Sequence, residues 1–580
     1  MKIKHLFGLA VIAAMTASCS SNEDLGTAGP GTGNNEAGVG YATFTINLPS
    51  TNGSTSGARG TRAAGDEITF EKGDQKEYDV DNATLLIFKG AGTSENDYTF
   101  VESVSLGSMA PWKDPSETGV TTHAKITAKL NKVNTTDKFY ALVLLNNGTG
   151  SSKKVDLPTE GQTFSGWNEA TANVTDKIAN TDDGFYMANA PLYNKDNKVT
   201  TLVPIESTKI YPTETQAASN PSTDIYVERG LAKITVTSAS STIKPIADGT
   251  YKGDKVTIQN WGLDVTNKKS FPVHKTDGTG YNEIWSNSNT TTPGSTSTAT
   301  TSRFVDNNTS TVAKRVYWGV DPNYDNAALN DETTDGETKR TENFNYVKKD
   351  QLTATTSEAK YCLENTFNLA NMMQGQTTRV IFKAKYEPKD IPAGETFYMV
   401  GKNTAIWTEA NLKAEIEAAV TKVVTSATTT NTTVDLANTE NDITKAGNHL
   451  LKLSNIKVTG VTLDQSNIDA INAKLGLKEG EGISTYEKAE AYYIARVKHF
   501  GVLTPWEAGQ SYGDDNLSFL GRYGVLRNNW YELDVNKVSG PGYPDVPEVK
   551  PNVPDDENFK YISVSVKILS WAKRSDKVDL

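Results

Sequence analysis

Cysteine and histidine are scarce in this chain. Cys19 and Cys362 are the two cysteines in 580 residues, so no disulfide framework is available, and once Cys19 is modified the mature chain has no internal pair. The five histidines, His5, His123, His274, His449 and His499, stand apart, with no His-x-x-x-His or Cys-x-x-Cys spacing. That excludes the common zinc-ligand patterns, and no metal or cofactor is expected. A Gly-x-Ser-x-Gly elbow and a phosphate loop are also missing. Seventy acidic residues leave a carboxylate pair of the glycosidase kind open, but no enzyme is expected. Positive charge is not in excess: the net charge is −12 without acidic blocks, which argues against nucleic acid as a partner.

Long apolar runs are lacking as well. Leu6 to Ala14 is the apolar part of the leader, far short of the roughly 20 residues that cross a bilayer. Lys2 and Lys4 precede it, and Thr16-Ala17-Ser18-Cys19 follows, as in a bacterial lipobox. Residues 1–19 therefore read as a lipoprotein signal peptide with Cys19 as the lipid-carrying residue. The Gly/Asn-rich stretch from Ser20 to Gly40 reads as a flexible tether. No lysine or arginine lies between Lys4 and Arg59. Arg59 and Arg62 are thus the first trypsin-like sites, in a small-residue loop where proteolysis is favoured.

Abundant Thr, Asn, Ser and Gly, with short punctuated β-branched and aromatic runs, indicate a mostly β protein with long polar loops. Ala42, Phe44, Ile46 and Leu48 alternate with polar residues, the mark of a strand with one buried face, and Pro49 ends it. Further strands are expected over Ala83–Phe88, His123–Leu130, Phe139–Asn146 and Tyr226–Val236, with a domain boundary just before Tyr226. Helical periodicity predicts helices over Thr408–Val423, Ser466–Leu475 and Thr485–Val497. Asp321 to Glu332 has oxygen ligands at calcium-loop spacing, but Ala328 and the absence of flanking amphipathic helices favour a proline-containing turn.

At the other end, Ile562, Val564, Val566 and Ile568 alternate with Ser563, Ser565 and Lys567. Before them, Pro541, Pro544, Pro547, Pro551 and Pro554 predict extended, poorly paired backbone acting as a connector. The same pattern thus closes both ends of the chain. One segment could replace the other in a single groove.

Several stretches taken in order resemble the type V pilus fimbrillins, the major-subunit family of Bacteroidetes fimbriae, and within it the short-fimbria (minor fimbrium) branch. They are the lipobox at Cys19, Arg62-Ala63-Ala64-Gly65, Val227-Glu228-Arg229 with Ala232-Lys233, Tyr317 to Tyr324, Tyr361 to Thr366, Thr377 to Phe382, Tyr492 to Gly501, Gly521 to Val525, and the terminal strand. Ser286–Ser302 and the helical insert near Thr408 depart from the pattern. The resemblance implies two transthyretin-like β-sandwich domains, residues 63–225 and 226–540, followed by a tether and donor strand over 541–580. It implies a lipoprotein precursor at the outer membrane whose propeptide, residues 20–62, is cut before Ala63 by an Arg-specific surface protease, with Arg59 the second choice. Loss of the first strand (Phe44, Ile46, Leu48) would open a groove for the donor strand (Ile562, Val564, Val566, Ile568) of an identical subunit, head to tail. Anchor and tip subunits and a host or bacterial surface ligand are the other implied partners, in a fimbrium on the cell surface. The alternative is a lipid-anchored adhesin or fimbrial tip that does not polymerise.

Overall fold

The alternating segments become strands because each can bury one face and pair its backbone on both sides. A computed structural model of the chain describes residues 32–49, 74–109, 120–193, 199–220, 223–276, 314–316, 318–324, 326–436, 449–499, 520–555 and 562–570. Cys19, Arg59, Arg62, Ala63 and the Ser286–Ser302 stretch lie outside these residues. Among the described residues no helix is long and apolar enough to cross a membrane.

The first domain is built on β1 (Gly40–Pro49), β2 (Ala83–Lys89), β3 (Thr99–Gly107), β4 (Val120–Leu130), β5 (Phe139–Leu145), β6 (Met187–Asn189) and β7 (Thr223–Arg229). They form one sheet in the order β3-β2-β5-β6-β7-β1-β4, with the short strand Val203–Ile205 added to β5. Its two end strands, β3 and β4, come back into contact, so the sheet wraps around a single apolar core. The short helix α1 (Glu214–Ser219) packs on β1 and β4. At the end of β5, Asn146 takes a left-handed conformation, φ 53°. Its side chain donates to Asp79 O (2.8 Å) and Phe185 O (3.0 Å), which holds the turn.

The expected single strand Tyr226–Val236 is two. β7 stays in the first sheet, and β8 (Leu231–Val236) opens a second one, so the chain crosses at Gly230 and not before Tyr226. A Cβ at Gly230 would stand 2.8 Å from Ile178 Cγ2, so the crossing has room for glycine only.

The second domain is a sandwich. Its first sheet also holds β10 (Ala359–Leu363), β14 (Asn529–Val538) and β15 (Ile562–Ser570), in the order β10-β8-β14-β15. The facing sheet holds Lys244–Pro245, β9 (Lys255–Asp264), β11 (Arg379–Glu387) and β13 (Glu490–Arg496). Ile234, Tyr531 and Leu533 meet Trp261, Phe382 and Tyr493 between the sheets.

The helix expected over Thr485–Val497 is instead the strand β12 (Ile483–Tyr486), a turn, and β13. Lys488 and Ala489 take left-handed conformations, φ 49° and 61°, and break any helix there. Tyr492 and Tyr493 are buried on opposite faces of β13, so no alternation marks the strand. The other two helices form as expected: α2 (Glu409–Val423), capped by Thr408, and α3 (Gln465–Lys474). With the hairpin Thr432–Val434/Ile456–Val458 they make an insert with its own apolar core, centred on Leu412, Ile416, Ile468 and Ile471.

Buried charge ties the domains together. Glu77 and Lys233 pair at 2.7 Å with almost no exposure, and the Tyr361 hydroxyl donates to the same carboxylate. Arg229 Nε donates to Glu77 O at 2.7 Å and its Nη1 to Asn528 Oδ1 at 3.1 Å. Lys233→Met leaves Glu77 buried beside one cation fewer, and the expected loss is about 3–5 kcal/mol of unfolding free energy. Urea denaturation measures it; a loss below about 1 kcal/mol, the size of an exposed pair, would mean the pair is solvated.

Candidate functional site

β1 is an interior strand of its sheet. It runs parallel to β7, with Phe44 opposite Thr223 and Asn47 opposite Tyr226. On its other side it runs antiparallel to β4, from Gly40 opposite Leu130 to Leu48 opposite Thr122. Ala42, Phe44 and Ile46 are wholly buried in the core. Leu48 is placed by its backbone pairing alone, since its side chain lies outside the described ones. On the opposite face Thr43 is 1% exposed and shares a hydroxyl hydrogen bond of 2.6 Å with Thr127. Tyr41 and Tyr211 exchange backbone hydrogen bonds of 2.7 and 2.9 Å, adding a further tie at the strand's start.

Burial of Phe44 and Ile46 contributes roughly 1.5–3 kcal/mol each, and each ladder hydrogen bond about 0.5–1.5 kcal/mol net. The connectivity matters as much as the packing. Chain-forward of β1, the next described residue is Asp74, and Arg59 and Arg62 fall between them. A cut at either arginine leaves β1 in its sheet without a covalent link to the rest of the domain.

β15 has the opposite character: it is the outermost strand of its sheet. It pairs antiparallel with β14, Val566 opposite Leu533 and Ile562 opposite Val538, and has no strand on its other side among the described residues. In the single chain, therefore, the terminal strand lies on its own domain and does not project from it, because the edge of β14 offers a ladder within reach. The structure also corrects the reading of the proline-rich run as poorly paired backbone. Tyr543 and Tyr492 exchange two backbone hydrogen bonds of 2.8 Å, and Gln374 N donates to Val553 O at 2.8 Å. Val546 packs with Ile381, Leu352 and Tyr492 on the outer face of the second sheet.

The stretches that carried the family resemblance are mostly internal fastenings. Trp318 Nε1 donates to Phe367 O at 3.1 Å. Glu364 pairs with Arg527, and Arg379 with Asp264 at 2.7 Å. Burial pushes the Cys362 thiol up to about 12, so this residue serves as a small apolar side chain. In the Asp321–Glu332 turn, Asp321 is buried and accepts from Asn267, Asn323 and Thr366, whereas Glu332 is exposed. Burial pushes the Asp321 carboxyl up to about 7. Apart from the local Asp321–Asn323 pair, these contacts lay beyond sequence reasoning because their partners are far apart in the chain.

Residues 484–577 match the family model described as "Major fimbrial subunit protein type IV, Fimbrillin, C-terminal". No curated protein matches the chain. Among solved structures, a candidate cell adhesion protein from Parabacteroides distasonis is 10% identical, with 92% of this chain and 98% of that one covered and a TM-score of 0.37. One from Bacteroides eggerthii is 10% identical over 91% and 96%, with a TM-score of 0.34. The tip fimbrial protein Mfa3 from Porphyromonas gingivalis, with C-terminal truncation, is 11% identical over 92% and 100%, with a TM-score of 0.22. Likenesses this distant leave the assignment to the C-terminal match. That region, which contains β13, β14 and the terminal strand β15, is similar to the C-terminal part of the fimbrillins, major subunit proteins of fimbriae.

Proposed function

We propose that the chain is the shaft subunit of a type V fimbria of the short-fimbria branch, a structural protein that polymerises by strand exchange. The precursor is held at the outer membrane by lipid on Cys19 and cut after Arg62 by an Arg-specific protease. β1 then leaves with the propeptide, and β15 of an identical subunit takes its seat. One observation carries this reading: β1 is a fully seated interior strand whose forward connection to its domain runs through Arg59 and Arg62. Once β1 has left, seating β15 is favourable in principle, because it gives up one ladder, to β14, for two, to β4 and β7. Head-to-tail contacts of this kind do not close and so make filaments.

The polarity of insertion follows from the two sequences. Laid in the direction of β1, Ile562 to Ile568 puts Ser563 at the Thr43 position and Lys567 at the half-buried Asn47 position. Laid in reverse, Lys567 falls on Thr43, opposite Thr127 and 1% exposed, where its ammonium would be buried. The donor is therefore expected parallel to β7.

Electron microscopy after treatment with an Arg-specific protease should show filaments, and their N-terminal sequence should begin at Ala63. A start upstream of Phe44, without filaments, would mean that β1 keeps its seat and that the chain is a lipid-anchored adhesin or tip.

A further inference from the structure

We infer that the proline-rich segment Pro541–Asp555 stays fastened to its own domain while the terminal strand is exchanged, so the pivot of assembly lies just beyond Asp555. This rests on the strand-exchange reading above. The fastenings are distributed along the segment. Gly540 O accepts from the Tyr493 hydroxyl at 2.8 Å and Gly542 O from the Tyr486 hydroxyl at 3.0 Å. Gly542 sits at φ 65°, and a Cβ there would stand 2.6 Å from Tyr492 O. Arg379, already paired with Asp264, donates from Nη2 to Pro547 O at 2.6 Å. At Gly375 a Cβ would come within 3.1 Å of Pro551 Cα, so the segment lies directly on that backbone. Asp555 is 1% exposed; its N–H donates to Met372 O at 3.1 Å, and its carboxylate accepts from Thr377 Oγ1 at 3.0 Å.

The prolines suit this role. With φ preset and no N–H to satisfy, they need only have their carbonyls capped, and Arg379 supplies such a cap from the domain. β15 has a ladder to a single strand, whereas the segment before it is gripped by buried side chains from several elements. The two parts of the C-terminal region therefore separate at different cost, and the strand leaves alone. Ile562 follows Asp555 by seven positions, a reach of about 25 Å at full extension. The near end of the neighbour's seat must lie inside that radius. Arg379, Thr377 and Gly375 are then positioning residues: they fix where the donor strand starts.

Two engineered disulfides test this in the protease-matured full chain. The first, Met373→Cys with Pro554→Cys, at a directly opposed antiparallel pair, locks the segment to its domain; the second, Leu533→Cys with Val566→Cys, locks β15 to β14. The oxidised segment-locked protein should give filament yields within about twofold of wild type, since a pivot beyond Asp555 is untouched. Loss of filaments in that variant, restored by reduction, would show that the segment must peel away and would overturn the inference. The strand-locked protein should lose filaments at least tenfold and recover on reduction; normal filaments there would sink strand exchange itself. Hydrogen exchange on wild-type filaments provides a check that needs no variant. The amides of Gln374, Tyr543 and Asp555, hydrogen-bonded in the single chain, should be as protected in filaments as in monomers. Their loss of protection on assembly would also overturn it.

Discussion

Phe44→Ala should lower the unfolding free energy of the precursor by about 3–5 kcal/mol, the usual cost of emptying a phenylalanine site in a core, and leave the matured filament unchanged. Phe44 is wholly buried, and both edges of its strand are paired, so the first domain has little freedom to close over the gap. If β1 departs with the propeptide, the substitution departs with it. The filament's stability is then set by the donor strand, which the substitution does not touch. Thermal melting of precursor and of sheared filaments, wild type against variant, measures both halves on one preparation. A filament destabilised as much as the precursor would show that β1 is retained and that the seat was never vacated.

Val566→Asp acts on the other partner, and its effect should be larger on assembly than on the fold. In the middle of the donor's apolar face, the carboxylate would enter a seat now lined by Phe44's neighbours and offered no cation; burying it unpaired costs several kcal/mol. Filament yield should fall below detection. In the matured monomer the same strand is the outermost of its sheet and Val566 stands opposite the buried Leu533, so the melting temperature should fall by several degrees while the monomer stays folded at room temperature. Normal filaments from the folded variant would refute donation by this segment.

Much of the architecture was legible because it rests on local periodicity. Ala42-Thr-Phe-Thr-Ile-Asn-Leu48 alternates as β1 must, and Leu412, Ile416 and Val420 recur as one face of α2 must. Thr485–Val497 misled because Glu487, Lys488, Ala489 and Glu490 are good helix formers with no proline or glycine among them. The left-handed turn at Lys488 and Ala489 is imposed by the pairing on either side, of β12 with Phe397–Val400 and of β13 with β11. Proline content misled differently. It correctly predicts extended backbone, but extended backbone can be gripped, and Arg379, Thr377 and Tyr493 that grip it are distant in sequence. The terminal and the first strand were legible as matching alternations; that β1 occupies the interior of its sheet, and β15 an edge, required the pairing.

The buried charges at the domain crossing acquire a mechanical meaning in a fimbria. Tension along such a fibre would enter each subunit at the strand seat in the first domain and leave through Asp555 in the second. Its path crosses the junction at Gly230, which has no side chain of its own to share the strain. Glu77, Lys233, Arg229 and Asn528 bridge that junction, out of reach of the salt that would screen them at a surface. A shaft built this way would resist pulling at its subunit waists as firmly in sea-strength brine as in dilute buffer.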